Sequence, residues 1–262
     1  MASLQGRHAL VTGGGRGIGR AIAAALMGAS AAVTIAGRNE KALAEVVGKG
    51  EASGYVIADV TDPKAVESGV KQAVAARGQV DLLIANAGTA TFGAVAELDP
   101  VAEQAQVQLN VLGVHDLVLA VLPGMLVRRA GGILISGSAA GNSPIPNNAT
   151  YAATKAFANT FCESLRGELR DTGVHVTLLA PGPVRAEMPD ASEASLVDKL
   201  IPDFLWISVE HTAVLSLDGL ERNKMRVVPG VTSKAMSVAS GYAPRAIVTP
   251  IVGAVYKKLG GD

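Results

Sequence analysis

Two groups of residues in this 262-residue chain have types and spacing suited to chemistry. The first is Thr12-Gly13-Gly14-Gly15-Arg16-Gly17-Ile18-Gly19, which follows an apolar run and opens a helix-like stretch. Glycines between a strand and a helix permit a tight turn. They also let backbone N–H groups approach a pyrophosphate at the helix N-terminus. The spacing is T-G-x-x-x-G-x-G. It is not a P-loop, because Arg20-Ala21 follows Gly19 instead of Lys-Ser/Thr. It is not G-x-G-x-x-G, because Ile18 stands in the third glycine's place. Thr12, Gly13, Gly15, Arg16, Gly17, Ile18 and Gly19 are therefore candidate dinucleotide contacts. The next apolar run ends Ala36-Gly37-Arg38, with no acid between Gly28 and Asn39. An acid there would take the ribose 2′-OH of NAD(H). Arg38 instead suits a 2′-phosphate through its planar guanidinium, and Arg16 could add a second charge. NADP(H) is expected over NAD(H).

The second group is Tyr151-Ala-Ala-Thr-Lys155, with Ser138 thirteen residues upstream of the Tyr at the end of an apolar run. A Tyr and a Lys four apart share one helical face. A free phenol, with a pKa of about 10, holds its proton too tightly for an ideal acid at neutral pH. A nearby ammonium favours the phenolate and lowers that pKa. Such a Tyr could protonate a carbonyl oxygen in reduction and act as base in the reverse direction. A serine hydroxyl could stabilise the developing negative charge. A Tyr–Lys pair alone is common; its weight comes from its order and spacing relative to the other groups.

Alternating elements would position these groups. Apolar, β-branched runs at His8–Thr12, Ala32–Ala36, Gly54–Ile57, Val80–Ala85, Gly132–Ser136, Val174–Ala180 and Met225–Val228 predict strands. Helices are predicted over Gly17–Met27, Asn39–Val47, Pro63–Arg77, Pro100–Leu126, Tyr151–Arg170 and Val209–Glu221. Asp62-Pro63 and Asp99-Pro100 mark two helix starts. Repeated strand–helix–strand units predict an α/β fold. It should be a single-domain, Rossmann-like, doubly wound parallel sheet of about seven strands, with helices on both faces. One domain over residues 1–262 is expected, without an internal repeat. The stretch Ala186–Val209 interrupts the alternation with Met188, Leu196, Phe204, Trp206 and other apolar residues. It reads either as a lid over the site or as ordinary packing. A helical tail is expected over about 232–259.

Composition excludes several classes. With 23 basic and 23 acidic residues, no net field attracts nucleic acid or an anionic membrane. Hydrophobic residues make up 49%, too many for a disordered chain. The run Ala21–Gly37, broken by Gly28, Ser30 and Thr34, is short for a membrane span, and none is expected. Cys162 stands alone, so no intrachain disulfide or multi-Cys metal site exists. His8, His115, His175 and His211 show no metal spacing, and no metal is expected. No G-x-S-x-G elbow is present, which disfavours a serine hydrolase. A cytoplasmic location is expected.

With these residues in view, the chain resembles the short-chain dehydrogenase/reductase family over nearly its whole length. Thr12–Gly19 is similar to that family's cofactor loop. Ala58-Asp59-Val60 resembles its adenine contact. Ala85-Asn86-Ala87-Gly88 resembles its N-N-A-G segment, with Ala85 in place of the first Asn. Leu109-Asn110-Val111 is similar to the segment carrying its active-site Asn. Ser136–Gly141 resembles the end of the strand that carries its catalytic Ser. Tyr151-Ala-Ala-Thr-Lys155 is similar to Y-x-x-x-K, and Pro181-Gly182-Pro183-Val184 to the loop that holds nicotinamide. The resemblance implies Asn110, Ser138, Tyr151 and Lys155 as catalytic residues. It has Lys155 bonding the nicotinamide ribose, and Asn110 holding a water that feeds protons toward Lys155. It adds Asp59, Val60, Asn86, Ala87, Gly88, Pro181, Gly182 and Val184 to the cofactor contacts.

The chain also departs from that pattern. Ala186 stands where members often carry a cofactor-contacting Thr. Arg222–Gly230 with its tail replaces the usual final strand and Asp-Gly-Gly turn, an ending similar to a bacterial ketoacyl reductase-like, broad-specificity subgroup. What the resemblance implies is an NADPH-dependent oxidoreductase of ketones, aldehydes or 3-oxoacyl groups, reversible and of the alcohol-dehydrogenase class. The substrate is expected to be a small, apolar carbonyl or alcohol, and the assembly a homodimer or homotetramer. The alternative is a dinucleotide-binding sensor or scaffold that keeps the fold without turnover.

Overall fold

The computed structural model describes residues 4–185, 203–230 and 234. The helical tail expected over about 232–259 lies outside the described residues except at Lys234, as do residues 186–202 of the expected lid.

The chain opens with β1 (His8–Thr12), α1 (Gly17–Gly28), β2 (Ala32–Gly37), α2 (Glu40–Gly48), β3 (Gly54–Ile57), α3 (Pro63–Arg77) and β4 (Leu82–Ala85). It continues with α4 (Pro100–Val107), α5 (Gly113–Arg128), β5 (Gly131–Ser136), α6 (Ala149–Glu168) and β6 (Val174–Leu179). The short strands β7 (Val184–Arg185) and β8 (Ile207–Ser208) follow, then α7 (Val209–Glu221) and β9 (Arg226–Val227). Seven strands form one sheet in the order β3-β2-β1-β4-β5-β6-β9, and every pair is parallel. The order reverses at β1, which pairs with β2 on one side and β4 on the other. A crevice opens at such a switch point, at the carboxyl ends of the strands.

Strand residues divide by parity between two cores. Leu10, Leu83, Ile133, Ile135 and Val176 face α3, α5 and α6. Ala9, Val11, Val33, Ile35, Leu82 and Ile84 face α1, α2 and α7. Burial on both faces explains why β1, β4 and β5 read as unbroken apolar runs. Local chemistry starts the helices. The Asn39 side chain accepts from Ala42 N, Asp62 from Lys64 N, Asp99 from Val101 N and Ala102 N, and Ser208 from His211 N.

Two features differ from expectation. The short strands β7 and β8 pair as a second, two-stranded sheet, where no strand is predicted. The single helix predicted over Pro100–Leu126 is divided by a wider π turn at Gln108–Leu112. Asn110 sits in that turn, fully buried, and its amide bonds distant groups. Those tertiary bonds compensate for the irregular turn. Among the described residues, the composite helix Pro100–Arg128 is the one stretch long and apolar enough to cross a membrane, by length and composition only. In the fold, Val114, Leu117, Val118, Val121 and Met125 of this helix pack into the sheet's core, while Val101, Leu112, Leu119 and Val127 are exposed.

Candidate active site

The glycine loop lies at the end of β1, against the two strands that flank the switch point. Thr12 Oγ1 is buried and accepts from the backbone N–H of Asn86 (3.1 Å) and Ala87 (3.2 Å). Asn86 Nδ2 donates back to Thr12 O (3.2 Å), and Asn86 Oδ1 accepts from Ser136 Oγ (3.1 Å). The ends of β1, β4 and β5 are thus tied together beneath the loop.

Two glycines let the loop lie this close. A Cβ on Gly19 would come within 2.4 Å of Gly13 O and 2.6 Å of Asn86 Nδ2. A Cβ on Gly14 would come within 2.5 Å of Ile35 Cγ2 on β2. Gly14 was not among the sequence candidates; a triple glycine marks a turn without saying which member touches the neighbouring strand. Arg16 precedes α1 in extended conformation, no acid lies in that helix's first turn, and Gly13, Gly15, Gly17 and Ile18 remain partly exposed. Such a cradle fits a pyrophosphate.

Arg38, at the end of β2, lies 3.7 Å from Asp59 Oδ2 just past β3. The residues expected at the 2′-phosphate and at adenine therefore share one edge of the crevice. Asp59 Oδ1 also accepts from Thr61 N (3.0 Å) and Thr61 Oγ1 (2.8 Å). Partial burial pushes the Asp59 pKa up. The two Thr61 bonds and the Arg38 charge outweigh it and hold the carboxyl below its usual value. The Arg38 side chain is 72% exposed, so its guanidinium can reach an incoming anion.

Ser138 follows β5 and caps a short 3₁₀ turn, Ala139–Asn142, by accepting from Ala140 N (3.1 Å). Asn159 of α6 holds the backbone of Ser138 from both sides. Its Oδ1 accepts from Ser138 N (3.3 Å), and its Nδ2 donates to Ser138 O (3.0 Å). Ala139 N donates to Pro181 O (2.9 Å), which joins the Ser138 turn to the Pro181-Gly182-Pro183-Val184 loop. A Cβ on Gly141 would strike the Lys155 backbone at 2.5 Å, so the turn lies directly on α6.

Tyr151 and Lys155 stand one turn apart on α6, as their spacing predicts. The Lys155 ammonium is buried, donates to Ser136 O (2.8 Å) and sits 5.8 Å from the Tyr151 ring centroid. Burial lowers its pKa to about 8. Asn110 Oδ1 accepts from Thr89 N (3.0 Å), while Nδ2 donates to Thr89 O (2.8 Å) and Thr154 Oγ1 (3.0 Å). Its amide is thus engaged with the loop after β4 and with α6. Gly88 lies between Asn110 and Lys155; a Cβ there would meet Asn110 Oδ1 at 3.1 Å and Lys155 Nζ at 3.4 Å.

The structure therefore brings Asn110, Ser138, Tyr151 and Lys155 to the same end of the sheet as the glycine loop, Asn86–Gly88 and Pro181–Val184. Asn159, Thr89, Thr154 and Ser136 complete the site and were not singled out from sequence. Asn159 had a legible signal, since it continues the Tyr151, Lys155 face by one more turn onto a buried polar position. A cavity of about 460 Å³, lined by Gly141, Pro144, Ile145, Ala149, Ala152 and Ala156, borders the Ser138 turn along α6. The two ends of the expected lid meet beside the site, where β7 pairs with β8. Arg185 binds Asp203 Oδ1 (2.8 Å) and lies 5.4 Å from the Trp206 ring.

Known proteins share this fold and part of this sequence. The family profile described as short chain dehydrogenase matches residues 7–196. The oxidoreductase UcpA of Escherichia coli K12 is 34% identical over 195 residues, covering 73% of this chain and 74% of its own. An uncharacterized oxidoreductase of Myxococcus xanthus is 36% identical over 192 residues, covering 72% and 76%. Among solved structures, a short chain dehydrogenase/reductase from Burkholderia phymatum in complex with NAD superposes with a TM-score of 0.81. It is 24% identical and covers 91% of this chain and 94% of that one. A gluconate 5-dehydrogenase from Burkholderia cenocepacia in complex with NADP and tartrate gives 0.75 at 26% identity, over 88% and 96%. A parallel sheet wound about a glycine cradle, a Tyr–Lys pair on α6 and matches spanning most of the chain lead to one assignment: this protein belongs to the short-chain dehydrogenase family of oxidoreductases.

Proposed function

We propose that this oxidoreductase reduces the carbonyl of a ketone, an aldehyde or a 3-oxoacyl group to an alcohol, reversibly, with NADPH as its preferred cofactor. The observation that carries this reading is the buried Lys155 ammonium beside Tyr151, at the strand ends where the glycine cradle lies. The cradle, Asn86–Gly88 and Pro181–Val184 would hold the dinucleotide, with Arg38 and Arg16 at the 2′-phosphate. When bound, the nicotinamide supplies or accepts the hydride.

Every other step belongs to side chains of this chain. The Ser138 hydroxyl donates a hydrogen bond to the substrate oxygen and steadies its growing negative charge. Tyr151 donates its proton to that oxygen in reduction and takes it back in oxidation. Lys155 lowers the cost of the tyrosinate left behind. The small, apolar lining of the 460 Å³ cavity supports an apolar substrate. The exposed Val101, Leu112, Leu119 and Val127 on α4–α5 support a homodimer or homotetramer, which we place in the cytoplasm with the whole chain as one cofactor-binding domain.

The test is NADPH oxidation followed over ketones, aldehydes, quinones, steroids and 3-oxoacyl thioesters, with Tyr151→Phe beside the wild type. Turnover lost in Tyr151→Phe with NADPH binding retained supports the reading. Retained turnover refutes the acid assignment, and silence of the wild type across the panel favours a dinucleotide-binding sensor.

A further inference from the structure

The first turn of α6 carries Tyr151 at its third position, yet its start is built unusually. Asn148 occupies the capping position and makes no side-chain capping bond. Its Nδ2 donates instead to Thr91 O (2.6 Å), in the loop that follows β4. Asn147, just before it, adopts a left-handed conformation (φ 61°) and its carbonyl accepts from Gly93 N (2.8 Å). An uncapped first turn is the part of a helix most prone to fray. A restraint on that turn helps to fix the general acid it carries.

Helix α4 supplies it. Glu103 accepts from the Thr91 hydroxyl through Oε1 and from the Thr150 hydroxyl through Oε2. Thr150 is the residue before Tyr151. One turn further on, the buried Gln106 accepts from Thr91 N (2.8 Å) through Oε1. One turn beyond that, Asn110 grips Thr89 and Thr154, the residue before Lys155. Glu103, Gln106 and Asn110 thus form a polar ladder down one face of the α4 and π segment. Its rungs are Thr89 and Thr91 of the loop and Thr150 and Thr154 of α6. Each α6 rung directly precedes one of the two residues proposed to manage the proton.

We infer that Glu103 is a positioning residue for catalysis: its carboxylate, bridging Thr91 and Thr150, sets the Tyr151 hydroxyl against the substrate oxygen. This rests on the proposed role of Tyr151. A carboxylate suits the task because both oxygens accept at once, and bonds to a charged acceptor are stronger than neutral ones. Glutamine can keep both contacts, since its carbonyl accepts from one threonine and its amide donates to the other hydroxyl. Alanine can keep neither.

The experiment compares wild type, Glu103→Ala, Glu103→Gln, Thr150→Val, the double variant Glu103→Ala/Thr150→Val, and Tyr151→Phe. It measures kcat and its pH profile, KM, NADPH affinity, and hydrogen exchange over residues 147–154. Displacing a reacting group by about 1 Å costs up to roughly 100-fold in rate. The expectation for Glu103→Ala is a kcat loss of about tenfold or more, with NADPH affinity unchanged. The limb of the kcat profile that Tyr151 governs should shift, and exchange in the first turn of α6 should speed up. Glu103→Gln should stay within about threefold of wild type, and the double variant should be no slower than Glu103→Ala alone. Wild-type kcat and pH profile in Glu103→Ala, with Tyr151→Phe inactive, overturn the inference about Glu103 alone. Equal losses in Glu103→Gln and Glu103→Ala overturn it too. Full turnover in Tyr151→Phe overturns the reading of Tyr151 and the inference with it.

Discussion

Burying an ammonium is costly, and Lys155 lets that cost be measured against the chemistry proposed for it. Its pKa falls from an ordinary 10.5 to about 8 because burial penalises the charged form. A fall of that size corresponds to about 3 kcal/mol. The sign follows from proton binding. Below pH 8 both folded and unfolded chains hold the proton, so the full penalty weighs on the fold. Between pH 8 and 10.5 the folded chain releases it first, and the penalty fades.

Lys155→Met removes the titration while keeping an unbranched side chain only one heavy atom shorter. Urea unfolding of cofactor-free wild type and variant at pH 7 and pH 10, repeated in a Tyr151→Phe background to silence the neighbouring phenol, isolates the effect. From pH 7 to pH 10 the wild type should gain about 2–3 kcal/mol on the variant. That is roughly 1 M in midpoint at a slope of about 3 kcal/mol per M. Turnover should be lost in the variant at both pH values, because the charge beside Tyr151 is gone. A stability gap that does not change with pH would refute the desolvation of Lys155. Normal turnover would refute its role beside Tyr151.

Three further outcomes are expected. Arg38→Ala should weaken NADPH binding by about 10- to 100-fold, the worth of charge-assisted bonds to a phosphate, and leave NADH within about threefold; fluorescence titration decides, and equal effects on both cofactors would count against a 2′-phosphate site. Gly14→Ala should destabilise by about 1–3 kcal/mol, because its Cβ would press on Ile35 Cγ2; an unchanged thermal midpoint would show that the loop does not lie against β2. Cys162 is buried, and that burial, with the Glu163 charge, pushes its thiol up to about 12, so a thiol reagent at pH 8 should label it only in denaturant. Rapid labelling of the native protein would contradict the packing around α6.

Much of the frame was legible before any coordinates. β1, β3, α3 and α7 begin and end at the residues the pattern indicates. Their signals are local: unbroken apolar runs for strands covered on both faces, and Asp62-Pro63 at a helix start. The Tyr151–Lys155 face and the glycine turn were legible for the same reason, since a helical period and a strand-to-helix junction need only a few neighbouring residues. The π turn at Gln108–Leu112 was not legible. The hydropathy of Pro100–Leu126 is uniform, and the break depends on Thr89 and Thr154, far away in sequence.

By itself, then, the sequence determined which elements form, which face of α6 carries Tyr151 and Lys155, and where a dinucleotide can approach a helix end. Propensity, periodicity and capping act between near neighbours, so one dimension suffices for them. The tertiary structure alone decided that Gly14 rests on Ile35, that Asn159 holds Ser138, that Arg38 meets Asp59, and that Glu103 ties Thr91 to the turn carrying Tyr151. Those contacts join residues that are distant along the chain. Their energies depend on distances that exist only once the sheet has set its strand order and the helices have packed on its two faces.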